Sequence, residues 1–196
     1  MSSSPFQPST IDDVSGNKFV LEQLTLGSST AAIDAARELL LDYGRFVAAQ
    51  TGVASFCFGA LEQEAAGLPA SYLDRQGGAI VAGTPAIRPS GQPADQLANW
   101  IGFVAWRSLP APELAQAWEL KRLWIRPGSR GSGLGRALVE AVIQRARSAG
   151  KSLILLDTAP QAMASAHRLY CEMGFTECAA YNGRSLEGIV YMHKEL

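Results

Sequence analysis

Arg130-Gly131-Ser132-Gly133-Leu134-Gly135 joins an apolar run, Trp118 to Ile125, to an amphipathic stretch, Leu134 to Ser148. Three glycines in five positions let the backbone turn tightly and approach a ligand without interference from Cβ atoms. A helix starting at Leu134 leaves its first amide N–H groups unpaired and carries the positive end of the helix dipole. Strand, glycine turn and helix start together form an anion site suited to a phosphate or pyrophosphate. Arg130 and Arg136 bracket the turn and can add charge-assisted contacts to phosphate oxygens. A turn that merely connects two elements is the alternative.

Spacing separates the phosphate motifs. The dinucleotide fingerprint G-x-G-x-x-G, started at Gly131, requires glycine where Arg136 stands; started at Gly133, it requires glycine at Leu138. Gly150-Lys151-Ser152 ends like a nucleotide P-loop, but Arg145 occupies the required glycine position and the order runs helix to strand. What remains is R-x-x-G-x-G, with Arg130, Gly133 and Gly135.

That pattern, led by Glu119-Leu120-Lys121-Arg122-Leu123-Trp124-Ile125-Arg126-Pro127, resembles the acetyl-CoA-binding motif of the GNAT superfamily of N-acyltransferases. Leu169-Tyr170 followed by Gly174-Phe175 resembles that superfamily's later "LY…GF" segment. Leu155-Leu156-Asp157-Thr158 matches a common subgroup pattern between them. The resemblance is strong from about Glu119 to Phe175. It implies an α/β fold: a mixed, mostly antiparallel twisted sheet with a central, splayed parallel strand pair flanked by helices. It also implies acetyl-CoA as co-substrate and transfer of its acetyl group directly to a primary amine.

Composition is compatible. A chain of 196 residues with 47% hydrophobic content can bury a core. Seventeen basic and 18 acidic residues give a net charge of -1, so no nucleic-acid partner is expected. No apolar stretch approaches the roughly 18 residues of a membrane span. The opening Met1-Ser2-Ser3-Ser4-Pro5 lacks the basic and apolar regions of a secretory signal. Cys57, Cys171 and Cys178 show no framework spacing, which favours a reducing, cytoplasmic setting. A monomer or homodimer is expected.

Residues 1–17, rich in Ser, Pro and Asp, are expected to be a flexible extension, with one domain over 18–196. Strands are expected over 19–26, 78–83, 100–106, 118–125, 153–156, 175–180 and 188–194. Helices are expected from a cap at Ser28–Thr30 through Ala31 toward Val47, and over 56–66, 134–148 and 161–173. Residues 84–99, rich in Pro and Gly, read as a long exposed connection. The helix 134–148 carries Leu138, Val142, Ala146 and Ala149 on one stripe and meets Gly150 at its end. Leu153-Ile154-Leu155-Leu156 is apolar without alternation, as a strand buried on both faces should be. Right-handed crossover then makes it a parallel neighbour of 118–125.

Acetyl transfer requires holding the donor, polarising its carbonyl, deprotonating the amine and protonating the thiolate. By resemblance the backbone of Gly131, Ser132, Gly133, Leu134 and Gly135 holds the pyrophosphate, with Arg130 and Arg136 beside it. Leu123, Trp124 and Ile125 meet the pantetheine arm, an N–H near Leu123 polarising the thioester. Thr158, Met163 and His167 complete the donor path. Tyr170, a phenol with an ordinary pKa near 10, is the candidate general acid; a packed core tyrosine is the alternative. Glu119 is the candidate base, placed by alternation on the side of Lys121, Leu123 and Ile125; a strand-end salt bridge is the alternative. Phe56, Tyr72, Trp106 and Tyr181 are candidate acceptor-pocket residues. His167 and Cys171 stand at i and i+4, but two ligands do not close a zinc site, so no metal is expected. A non-catalytic acyl-CoA sensor, a peptide or protein amine acetyltransferase, and a domain that has lost donor binding stay open.

Overall fold

A computed structural model describes residues 9–12, 18–51, 58–74, 76–84, 99–183 and 185–196. Phe56, Cys57 and most of the 84–99 connection lie outside the described residues. In chain order the elements are strands β1 (Ser9–Asp12) and β2 (Lys18–Gln23) and helices α1 (Thr30–Thr51), α2 (Phe58–Ala66) and α3 (Ala70–Leu73). Strands β3 (Gly78–Thr84), β4 (Asn99–Ser108) and β5 (Ala117–Ile125) follow, then α4 (Leu134–Ser148) and β6 (Leu153–Thr158). Helix α5 (Ala164–Glu172) and strands β7 (Thr176–Cys178) and β8 (Val190–Glu195) close the chain.

One sheet of the described residues runs β1-β2-β3-β4-β5-β6-β8-β7. Every neighbouring pair is antiparallel except β5 and β6, which are parallel and joined through α4. This is the mixed sheet with a central parallel pair that the resemblance implies. Within the stretch read as a flexible extension, Ser9–Asp12 pairs with Lys18–Gln23 as the outermost strand. The short helix α3, entered through Pro69, has no counterpart among the expected elements.

Two apolar layers sandwich the sheet. On one face α4 buries Leu134, Leu138, Val142 and Ala146 against Val104, Trp106, Trp118 and Leu120, with Tyr170 and Phe175 closing the cluster. Ala149, expected on that stripe, is the exposed C-terminal cap instead. On the other face α1 and α2 bury Ala32, Ala36, Leu39, Leu40, Leu61 and Ala65 against Val81, Phe103, Ala105 and Trp124. The N-terminus of α1 is capped where Ser29 Oγ accepts the Ala32 N–H at 3.2 Å.

Candidate active site

Strands β5 and β6 pair only at Ala117–Leu153, Trp118–Ile154 and Glu119–Leu155. Beyond Glu119, β5 continues to Ile125 and β6 to Thr158 with no further pairing between them. The two strands therefore part, and the space between them opens toward the start of α4.

A bulge in β5 adds to this divergence. Phe103 pairs with Trp124 and Ala105 with Lys121, so Arg122 and Leu123 lie opposite Val104 alone. Arg122 adopts φ 60°, a left-handed conformation that disfavours a long side chain. The extra residue shifts the alternation by one. Trp118 and Leu120 share a cluster with Leu123 and Ile125, whereas Trp124 packs in the opposite layer. Glu119 and Lys121 thus face away from Leu123 and Ile125, contrary to the uninterrupted alternation expected from the sequence.

Arg122 is anchored. Its Nε and Nη2 donate to Glu64 Oε1 and Oε2 at 3.1 and 3.0 Å, and its guanidinium lies 5.7 Å from the Tyr43 ring centre. The Tyr72 hydroxyl donates to the same Glu64 carboxylate. Burial alone would lower the Arg122 pKa, but Tyr43 and Glu64 outweigh it and hold the guanidinium above its ordinary range. Helices α1, α2 and α3 are in this way tied to the bulge.

A cleft of about 550 Å³ lies between the end of β5, the glycine turn and the start of α5. Its floor is Leu123, Trp124 and Ile125, one end is the turn from Ser129 to Arg136, and its far wall includes Met163, Ala166 and Leu169. Gly131 and Gly133 have φ of 78° and 82°, which glycine adopts without strain. No side chain caps α4, so its first amides are left for a ligand. A Cβ on Gly131 would meet nothing within 4 Å, so the turn is open where a diphosphate would lie. The residues present fit the diphosphate and pantetheine of a CoA thioester. Ser132 Oγ is used within the turn, donating to the Ser129 carbonyl at 2.7 Å. The Arg130 guanidinium stacks on Phe46 and Trp124, 4.9 and 4.8 Å from their ring centres, and its Nε donates to the Ile125 carbonyl. Arg136 forms an exposed ion pair with Glu172 at 2.8 Å across the cleft mouth.

Leu123 and Met163 also line a second, smaller chamber of about 40 Å³, walled by Tyr43, Lys121, Arg122, Asp157, Thr158 and Tyr170. Tyr170 is buried, and desolvation first, then Tyr43 and Asp157, raises its phenol pKa above the ordinary value. Glu119 is fully buried. Its carboxylate accepts from Arg107 Nε at 2.6 Å, Lys121 Nζ at 3.3 Å and the Tyr181 hydroxyl at 3.0 Å. Lys121 Nζ also donates to Asp157 Oδ1 at 2.7 Å. Burial, followed by Glu119 and Asp157, raises the Tyr181 pKa.

Most of the expected donor residues line one cleft: Leu123, Trp124, Ile125, Arg130 through Arg136, and Met163. Thr158 lines the smaller chamber, and His167 lines neither, its Nε2 lying 3.8 Å from Cys171 Sγ. Of the expected acceptor residues, Tyr72 and Tyr181 join the polar networks of Glu64 and Glu119. Trp106 is buried in the layer opposite Glu119, its ring 5.6 Å from Trp118, and meets neither cavity. Phe46, Tyr43, Glu64 and Asp157 escaped the sequence reading. Asp157 alone left a signal, an acid at the end of the buried run 153–156. Among the described residues no cluster of His, Cys, Asp and Glu can hold a metal ion.

The site is a glycine turn at a helix start beside a parted parallel strand pair. Residues 94–175 match the model of the acetyltransferase (GNAT) family. A search of solved structures finds an acetyltransferase of the GNAT family from Staphylococcus aureus, 15% identical with TM-score 0.63, covering 90% of this chain and 98% of that one. It also finds yncA from Salmonella typhimurium, determined with acetyl-CoA, 20% identical with TM-score 0.60 over 90% of this chain and 93% of that one. These likenesses are of fold. In sequence, the chain is 40% identical over 102 residues to an uncharacterized N-acetyltransferase from Schizosaccharomyces pombe, covering 52% of this chain and 60% of that protein. Residues 94–175 are thus similar to a GNAT acetyltransferase domain, and the chain spans about 60% of the length of that curated relative.

Proposed function

We propose that this protein transfers the acetyl group of acetyl-CoA directly to the primary amine of a small molecule. The carrying observation is continuity. The cleft that begins at the glycine turn ends at Leu123 and Met163, where it meets the chamber containing Tyr170. When bound, acetyl-CoA supplies an activated acyl group on a sulfur leaving group.

The turn and the α4 amides hold the diphosphate, and Leu123 to Ile125 orient the pantetheine arm, with a backbone N–H near Leu123 polarising the carbonyl. Thr158 borders the inner end of the donor path, and His167 lies off it. Tyr170 donates its phenol proton to the departing sulfur; its raised pKa keeps that proton in place at neutral pH. Glu119 acts as a buried anion that fixes Arg107, Lys121 and Tyr181. Tyr72 and Tyr181 border the acceptor side. No metal takes part, the setting is cytoplasmic, and the protein works as a monomer or homodimer without nucleic acid. No helix among the described residues is long and apolar enough to cross a membrane.

Release of CoA thiol on mixing acetyl-CoA with a panel of small primary amines tests the reading. The three donors to Glu119 favour one rival, a non-catalytic acyl-CoA sensor, because both carboxylate oxygens are already engaged by the protein's own groups. Calorimetric CoA binding without thiol release across the panel would establish the sensor. Release only with peptide amines would move the acceptor class to proteins.

A further inference from the structure

We infer that Asp157, not Glu119, is the group that receives the acceptor's proton. This rests on the transferase reading above. Lys121 joins two carboxylates whose surroundings differ. The Glu119 side chain is 1% exposed and accepts three donors; the Asp157 side chain is 30% exposed. Lys121 Nζ donates to Asp157 Oδ1 at 2.7 Å. Asp157 also lies where chemistry needs a proton acceptor. It sits on β6 past the last β5–β6 pair, and its carboxylate walls the chamber that Tyr170 walls from α5.

That chamber, about 40 Å³, has room for one group the size of an amine head or a water. Its charges balance. Arg122 is paired with Glu64, and Lys121 and Arg107 together offset Glu119 and Asp157, so a neutral amine enters without net repulsion. The shared lysine is the decisive part. When Asp157 becomes protonated, Lys121 keeps Glu119 as its counter-ion, so proton uptake does not strand a buried ammonium.

The step balances as follows. Asp157 takes a proton from the amine as its nitrogen bonds to the acetyl carbon. Tyr170 gives its phenol proton to the sulfur as the carbon–sulfur bond breaks. The proton on Asp157 then returns to the Tyr170 phenolate across the chamber they share, and the protein ends in its starting state.

The test uses Asp157→Asn, Asp157→Ala and Asp157→Glu in the full chain. It follows thiol release with the amine that the wild type acetylates fastest from a panel of aromatic, aliphatic, amino-acid and polyamine members. Calorimetry measures CoA affinity, and the affinity of that amine for the protein–CoA complex. Asp157→Asn is expected to lower kcat at least tenfold and weaken amine binding to the CoA complex at least fivefold. CoA affinity should stay within twofold, and Asp157→Glu should regain part of the rate. Where Asn destabilises the fold, Asp157→Ala gives the same comparison. Rate, CoA affinity and melting temperature falling together in Asn and Ala would mark a structural brace and overturn the inference. A kcat within threefold of wild type would also overturn it, leaving the transferase reading intact. A wild type that binds CoA but releases thiol with no amine removes both.

Discussion

Tyr170 shows how much one side chain depends on its surroundings. Its position in the sequence, four residues before Gly174-Phe175, marks it as a candidate acid. Its burial beside Asp157 then sets the range over which it can act. Tyr170→Phe removes only the hydroxyl and is expected to lower kcat tenfold or more, with the acetyl-CoA KM within twofold. Because the phenol pKa is raised, its ionisation causes no loss of kcat below pH ~10; steady-state rates from pH 7 to 10 in both proteins check this. Glu119 is the opposite case. Sequence shows a carboxylate on the right strand, and only the structure shows both its oxygens engaged by Arg107, Lys121 and Tyr181. Asp157 left only its acid at the end of the run 153–156 as a signal, because its value depends on β6 leaving β5 after Leu155.

At the scale of elements, the helices and strands that position the site were legible because their apolar periods are clean. The bulge was not. Left-handed backbone is normally signalled by glycine or asparagine, and here it falls on Arg122. The conformation is held by the Glu64 carboxylate from α2, 58 residues away in sequence. Glu64→Gln leaves Arg122 without its counter-ion in a site where both side chains are mostly buried. It should cost about 3 kcal/mol in urea unfolding and lower kcat/KM at least tenfold by loosening the strand that lines both cavities. Arg122→Lys, which keeps charge but not the two-pronged contact, should not restore either value. The glycine turn was fully legible. At Gly131 an alanine has space but the wrong φ, so Gly131→Ala should cost about 1 kcal/mol and weaken CoA binding at least fivefold by calorimetry.

The whole molecule is a sheet packed on both faces, and its stability should follow that sandwich rather than the site. Leu138, fully buried between α4 and the sheet, should cost about 3 kcal/mol on replacement by alanine, with kcat at saturating substrates unchanged. Alkaline pH acts on the fold as a whole. Tyr170 and Tyr181 have raised pKa values when folded, and unfolding returns them to about 10. Above that pH the unfolded chain binds fewer protons than the folded one, so stability is complete below pH ~10 and declines as pH climbs further. Melting curves should show this decline, less steep in Tyr181→Phe. The parting of β5 from β6 has a consequence for the ligand-free protein. Mid-sheet backbone amides along Leu120–Ile125 that point toward β6 have no ladder partner, so a breach runs through the interior of an otherwise continuous fabric. Deuterium uptake should be fastest along this breach and slow sharply once CoA lies in it, the coenzyme serving as the missing thread.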